Sequence, residues 1–148
     1  MRIGLHRRAA RARRGWRRDD GQALVEMAIA LPLLLILLVG IFEFARAYSI
    51  KQTVVNAARE GARAAVVQLT PNEAAVKATV QGYLQSNGIS IPDDDIVISG
   101  FGGSTGAPVT VRVSADYNFI LLGPVLSLIS ASFRDGVTLS SETTMRKE

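Results

Sequence analysis

Cysteine is absent from the 148 residues, and histidine occurs once, at His6. Without thiols the chain has no disulfide framework and no thiolate metal site, whatever compartment it occupies. A single histidine, placed in an arginine-rich tail, removes most His-based acid–base catalysis and zinc chemistry from the body of the protein. No nucleophile–base pair can be assembled from what is left, so the sequence points away from enzymatic activity and implies no cofactor. At this length one small domain with appendages is expected, held by packing alone.

Charge is scarce where the chain is most apolar and crowded where it is not. The formal net charge of +4 would suit a nucleic-acid binder. However, eight arginines (Arg2, Arg7, Arg8, Arg11, Arg13, Arg14, Arg17 and Arg18) precede Gly21. Beyond Gly21 nine basic residues face eleven acidic ones, a net charge of −2. Basicity therefore belongs to a tail, and nucleic acid is not an expected partner.

From Met27 to Phe42 there is no charged residue: MAIALPLLLILLVGIF. With Gln22 to Glu26 added, the run reaches the ~20 residues that cross a hydrocarbon core as a helix. Pro32 would kink a helix in water, but in lipid neighbouring groups can re-satisfy the carbonyl it frees. A buried core helix of a soluble protein is seldom so long or so uniformly apolar. The arginines on the N-terminal flank orient the span with its tail inside and the residues after about Ala47 outside. Glu43 and Arg46, three apart, are placed to pair on one face as the helix leaves the membrane.

Beyond the membrane the helix is expected to continue. In NAAREGARAAV, the residues Ala57, Gly61 and Ala65 recur every four positions and form a narrow ridge that admits another helix closely. Val55, Ala58, Ala62 and Leu69 adjoin it, while Gln52, Asn56, Arg59 and Arg63 face elsewhere. The partner of the ridge is either the chain's own domain or another subunit. A second helix opens at Thr70-Pro71, with Thr70 as N-cap and Glu73 completing a capping box, and stops at Asn87-Gly88. Then the period becomes two: Ile96 to Ile98, a Gly100–Gly106 loop, Val109 to Tyr117, and a last strand with Val137, Leu139, Ser141, Thr143 and Met145 on one face. Phe119 to Ile129 (FILLGPVLSLI) is too short to span a bilayer; core is the first expectation for it, with a membrane-resting segment or a subunit contact as alternatives. The fold class is α+β: a long N-terminal transmembrane helix continuing into a small head, with a second helix and a mainly antiparallel sheet of about three strands.

The most informative stretch is where tail meets membrane, Arg17-Arg18-Asp19-Asp20-Gly21-Gln22-Ala23-Leu24-Val25-Glu26. An ionised carboxylate at a bilayer centre costs on the order of 2.5–3.5 kcal/mol, less near the interface. Glu26 therefore calls for a reason. One is that it sits among headgroups, hydrated and idle. Another is that cleavage after Gly21 gives Gln22 a new α-amine one helical turn away, which Glu26 neutralises in its own chain or in a neighbour. Gly21 suits a scissile position because its backbone enters a protease cleft without a side-chain clash.

These residues, with Ala30 to Tyr48 (ALPLLLILLVGIFEFARAY), Val55 to Val66 (VNAAREGARAAV) and the terminal LSSETTMRKE, resemble the type IV prepilin class. Within it they resemble the TadE-like minor pseudopilins of tight-adherence (Flp) pilus systems. The resemblance implies a bacterial cytoplasmic-membrane protein, single-pass, N-terminus inside and C-terminal head outside. It divides the chain into a basic leader (1–21), a transmembrane helix (22–48) and an extracytoplasmic head (49–148). It also implies a membrane-embedded prepilin peptidase cutting between Gly21 and Gln22, and partners among other pilins or pseudopilins and the secretion machinery. Met27 follows Glu26 where major Flp pilins carry tyrosine, and Gln22 stands where other type IV pilins carry phenylalanine. The first departure, with the size of the head, favours an accessory role over that of main filament subunit, and the second bears on N-terminal methylation.

Rival readings rest on weaker signals. An unprocessed single-span anchor whose head binds an extracytoplasmic partner needs no cleavage. Ala45-Arg46-Ala47 resembles a signal-peptidase site that would release a soluble domain, but the apolar run exceeds the ~7–15 residues of an h-region. Arg13-Arg14 inside so many arginines is a poor twin-arginine signal. Asp93-Asp94-Asp95 reads as a solvated turn before a strand, not a metal site. The Gly100–Gly106 loop lacks the Lys-Ser or Lys-Thr of a phosphate cradle.

Overall fold

The computed structural model describes residues 18–67, 70–126 and 136–147. Most of the arginine leader, Leu69 and the 127–135 stretch lie outside these residues. Helix α1 runs Arg18–Val66 and α2 Glu73–Ser86; a 3₁₀ turn (Asp93–Asp95) leads into strand β1, Ile96–Ser99. Strand β2 (Pro108–Tyr117), a short helix α3 (Leu122–Leu126) and strand β3 (Val137–Arg146) complete the order. The strands form one antiparallel sheet in the order β1-β2-β3. The expected α+β class, with its long apolar helix, second helix and three-stranded antiparallel sheet, is borne out.

The chain divides into two compact units, Met1–Leu37 and Leu38–Glu148. In the first, α1 is continuous through Pro32 and its large apolar side chains are all exposed, from Leu24 to Leu37. A helix apolar on every side and covered on none is suited to lipid, since water would penalise each face.

In the second unit the C-terminal part of α1 is one wall of a core. Val54, Ala57, Ala58, Ala62, Ala65 and Val66 are buried against Val76, Val80 and Leu84 of α2 and Ile96, Val109, Val111, Val113 and Ala115 of the sheet. Along β2 every second residue from Val109 to Tyr117 is buried, the period-two alternation of a sheet with one covered face. Most side chains on the helix wall are alanines and most of those facing it are branched, which lets the elements interdigitate closely. A Cβ at Gly61 would lie 2.5 Å from Val80 Cγ2 and 3.2 Å from Val111 Cγ1. The Ala57–Gly61–Ala65 ridge thus packs on the chain's own α2 and β2.

The second helix starts later than the sequence pattern suggests. Its N-cap is Asn72, whose Oδ1 accepts from the Ala75 amide at 2.9 Å. Thr70 instead donates its hydroxyl to the Ala64 carbonyl at 2.6 Å, satisfying an orphan acceptor at the end of α1. The stop is where it was expected. Gly88 takes φ 75°, its amide reaches the Gln85 carbonyl at 3.0 Å, and the Ile89 amide reaches the Leu84 carbonyl at 2.9 Å. That is a Schellman ending, with a glycine where a left-handed backbone is needed.

The Asp93–Asp95 turn is tied to α2: Lys77 Nζ donates to the Asp93 carbonyl at 3.0 Å and Gln81 donates to the Asp93 carboxylate. Residues 100–107 connect β1 to β2 as a hairpin, and the Gly106 amide also donates to the Lys147 carbonyl at 2.8 Å. Arg112, solitary in sequence, stands opposite Glu142 of β3 and pairs with it at 2.5 Å.

Candidate functional site

The processing and assembly residues anticipated from sequence all lie on the lipid-suited part of α1. Gly21 is in regular helix three residues after its start, with nothing within 4 Å of where a Cβ would stand. Gln22 and Glu26 are exposed. Four residues apart on one helix, they share a face about one turn from each other. Among the described residues nothing hydrogen-bonds or ion-pairs with Glu26. Gln22 and Glu26 therefore share one face with Gly21 next to it in sequence, whereas Ala57, Gly61 and Ala65 belong to the core of the second unit.

A second constellation escaped the sequence reading. Glu43 is only 4% exposed, although it sits between Phe42 and Phe44, each 72% exposed. It does not pair with Arg46. Its Oε2 accepts from the Tyr117 hydroxyl at 2.5 Å, its Oε1 from the Leu121 amide at 2.6 Å, and its backbone carbonyl lies 3.2 Å from the same hydroxyl. Both carboxylate oxygens are thus satisfied, as burial of a charge requires. Tyr117 is the last residue of β2 and the last of its buried alternation, and Phe119 meets its ring edge-on at a centroid distance of 5.4 Å. Burial, the hydrogen bond to Glu43 and the Glu43 charge push the Tyr117 phenol up to about 12, with Arg46 opposing them.

This arrangement is a clamp. Each Glu43 carboxylate oxygen accepts one hydrogen bond, and the raised phenol of Tyr117 stays protonated at neutral pH. Its effect is positional: it fastens the chain after β2 to α1 at the level of Glu43. Ile120 and Leu121 are left 55% and 60% exposed, so core is the wrong expectation for that part of the apolar stretch. Neither Glu43 partner is legible locally, because they are 74 and 78 residues away. The available signal was a charged residue inserted between two phenylalanines at the edge of an apolar run.

Among the described residues no group of three or more His, Cys, Asp or Glu side chains could hold a metal ion. No curated protein and no solved structure matches the chain. A family model does: residues 21–63, from Gly21 through the apolar half of α1 to the small-residue face beyond it, are similar to the model of TadE-like protein.

Proposed function

We propose that the chain is a non-enzymatic, pseudopilin-type component of a tight-adherence (Flp) pilus system, acting in pilus assembly or secretion. It is made as a single-span precursor with leader 1–21 inside, helix 22–48 across the cytoplasmic membrane and head 49–148 outside. A prepilin peptidase cuts between Gly21 and Gln22. The carrying observation is that the TadE-like match opens at a glycine followed, five residues on, by a carboxylate on an apolar helix with no partner among the described residues. Cleavage there creates an α-amine one turn from Glu26. The same carboxylate can instead meet the amine of a neighbouring pilin-like subunit, which gives it a role in assembly.

The first turns of α1 bear on how cleavage proceeds. A protease cleft binds extended backbone, so the helix at Gly21 must open. Glycine lowers that barrier, being about 0.8–1.0 kcal/mol less favourable than alanine in a helix interior. Regular helix through Gly21 also favours the second reading, in which the chain stays uncut as a permanent anchor whose head binds an extracytoplasmic partner. N-terminal sequencing of protein recovered from the native envelope separates the readings. A start at Gln22 supports processing; a start at Met1 supports the anchor and refutes processing; a start at Tyr48 refutes both in favour of a secreted domain. Gly21→Ala is expected to slow the appearance of the Gln22 terminus without blocking insertion.

A further inference from the structure

Counted from Gln22, about 20 helical residues exhaust the hydrocarbon core, which places its far edge near Phe42 whichever way the chain is oriented. Phe42, Phe44 and Tyr48 follow at that level, all strongly exposed, and the last two stack with centroids 6.4 Å apart. Aromatic side chains at the end of a span are the usual mark of the membrane–water interface. The clamp on Glu43 brings the chain after β2 down to this same level. The Leu121 amide bonds Glu43, and Leu122 Cδ1 lies 4.0 Å from where a Cβ on Gly40 would be, two residues inside the counted edge. Ile120 and Leu121 then present their side chains outward beside the helix, and a groove of about 340 Å³ lies between Phe42, Glu43, Arg46, Ile120 and Leu121.

We propose that residues 120–122 are a second membrane contact, a monotopic segment seated in the interfacial region of the bilayer that α1 crosses. A phospholipid fills the groove, its upper acyl chain on Phe42, Ile120 and Leu121 and its phosphate beside Arg46. Three observations select lipid over a second protein. The segment packs directly beside the membrane-crossing helix, at Glu43 and Gly40. Ile41, Phe42 and Phe44 expose apolar surface on several sides of that helix, as an all-round lipid annulus requires and a one-sided protein contact does not. Finally, Glu43 is buried with its oxygens turned to Tyr117 and Leu121, so the exposed charge on the groove's lining is Arg46, the sign that suits a phosphate. The chain thereby meets the bilayer at two points.

This inference rests on α1 spanning the bilayer, and the test keeps the two apart. The native tryptophan, Trp16, is replaced (Trp16→Phe) in the full chain reconstituted in phosphatidylcholine–phosphatidylglycerol vesicles. Single tryptophans are then introduced at Ile120, at Leu34 in the span and at exposed Gln85 at the end of α2. Lipids brominated near the headgroup end of their acyl chains should quench Ile120→Trp about two-fold more strongly than lipids brominated near the chain terminus, as befits a segment seated ~5–10 Å into the boundary. Leu34→Trp should show the opposite order and Gln85→Trp no quenching. Leu121→Trp serves as a second probe of the segment and should follow Ile120→Trp. If both segment probes behave like Gln85→Trp while Leu34→Trp is quenched, the span stands and the second contact is overturned. If emission at position 120 instead shifts to the blue only as protein density rises, without bromine sensitivity, a second copy occupies the groove and the lipid is refuted. Absence of quenching at Leu34→Trp overturns the span and this inference together.

Discussion

Adding one methyl group at Gly61 tests both the core and the meaning of the small-residue ridge. The new Cβ would stand 2.5 Å from Val80 Cγ2 and 3.2 Å from Val111 Cγ1. Carbon atoms attract best at about 3.5–4.0 Å, so the first contact is roughly an ångström too close. Val80 cannot swing aside cheaply, since a β-branched residue in a helix has one strongly preferred rotamer. Helix α2 must move away from α1, and core contacts open with it. Overpacking of this kind costs about 1–3 kcal/mol, while exchanging glycine for alanine in a helix returns about 0.5–1 kcal/mol. A net loss of about 1–2 kcal/mol is expected, some 5–30-fold in the folded-to-unfolded ratio. Denaturant unfolding of the full chain in mild detergent, followed by circular dichroism, reads it as a lower midpoint with unchanged slope.

The double variant sharpens the reading. Val80→Ala removes the methyl that the new Cβ strikes, so Gly61→Ala with Val80→Ala should be less destabilised than the two single losses added, with a coupling of about 0.5–3 kcal/mol. A Gly61→Ala protein as stable as the parent would refute the argument. Unchanged stability with impaired pilus production would reassign the ridge to another subunit.

Four further perturbations can be stated. Folding keeps the Tyr117 phenol protonated up to about pH 12 against an ordinary 10.0. The stability it contributes is therefore fully present below pH 10 and lost as pH rises through about 12; tyrosinate absorbance should show a late component that Tyr117→Phe removes, and its persistence in that variant would contradict the assignment. Asn72→Ala should cost about 1 kcal/mol through loss of the cap on α2. Thr70→Ala should leave the start of α2 intact, as helix-proton chemical shifts would show. Glu26→Ala is expected to insert normally and to impair pilus assembly, and normal pilus production in that variant would remove its proposed role.

What was legible in the sequence depended on how local the physics was. The long apolar helix and the one-sided burial of β2 follow from the hydrophobic pattern, and the Asn87-Gly88 stop from one residue's tolerance of positive φ. The start of α2 was misplaced because Thr70 and Glu73 imitate a capping box. Tertiary structure gave the Thr70 hydroxyl to α1 and left the capping to Asn72. Glu43 was misread for the same reason on a larger scale. An i, i+3 partner is always visible in sequence, but Tyr117 and Leu121 reach Glu43 only once the sheet has formed.

Two carboxylates on α1 show how differently one helix treats the same group. Glu43 is taken inward, and a phenol and an amide from the far end of β2 satisfy it. Glu26 stands on exposed helix with no described group in reach. A carboxylate in an apolar setting is retained at a cost unless something compensates it, and the compensation at position 43 is internal and complete. At position 26 it has to come from elsewhere: from the headgroup region, from an α-amine exposed at Gln22, or from another subunit. The last two depend on cutting and on assembly, the events proposed for this chain. On this reasoning Glu43→Gln and Glu26→Gln should part company. The first should loosen the head wherever the protein is, whereas the second should leave the head's unfolding midpoint unchanged and show its defect only when pilus subunits come together. Equal loss of head stability in both variants would refute the distinction.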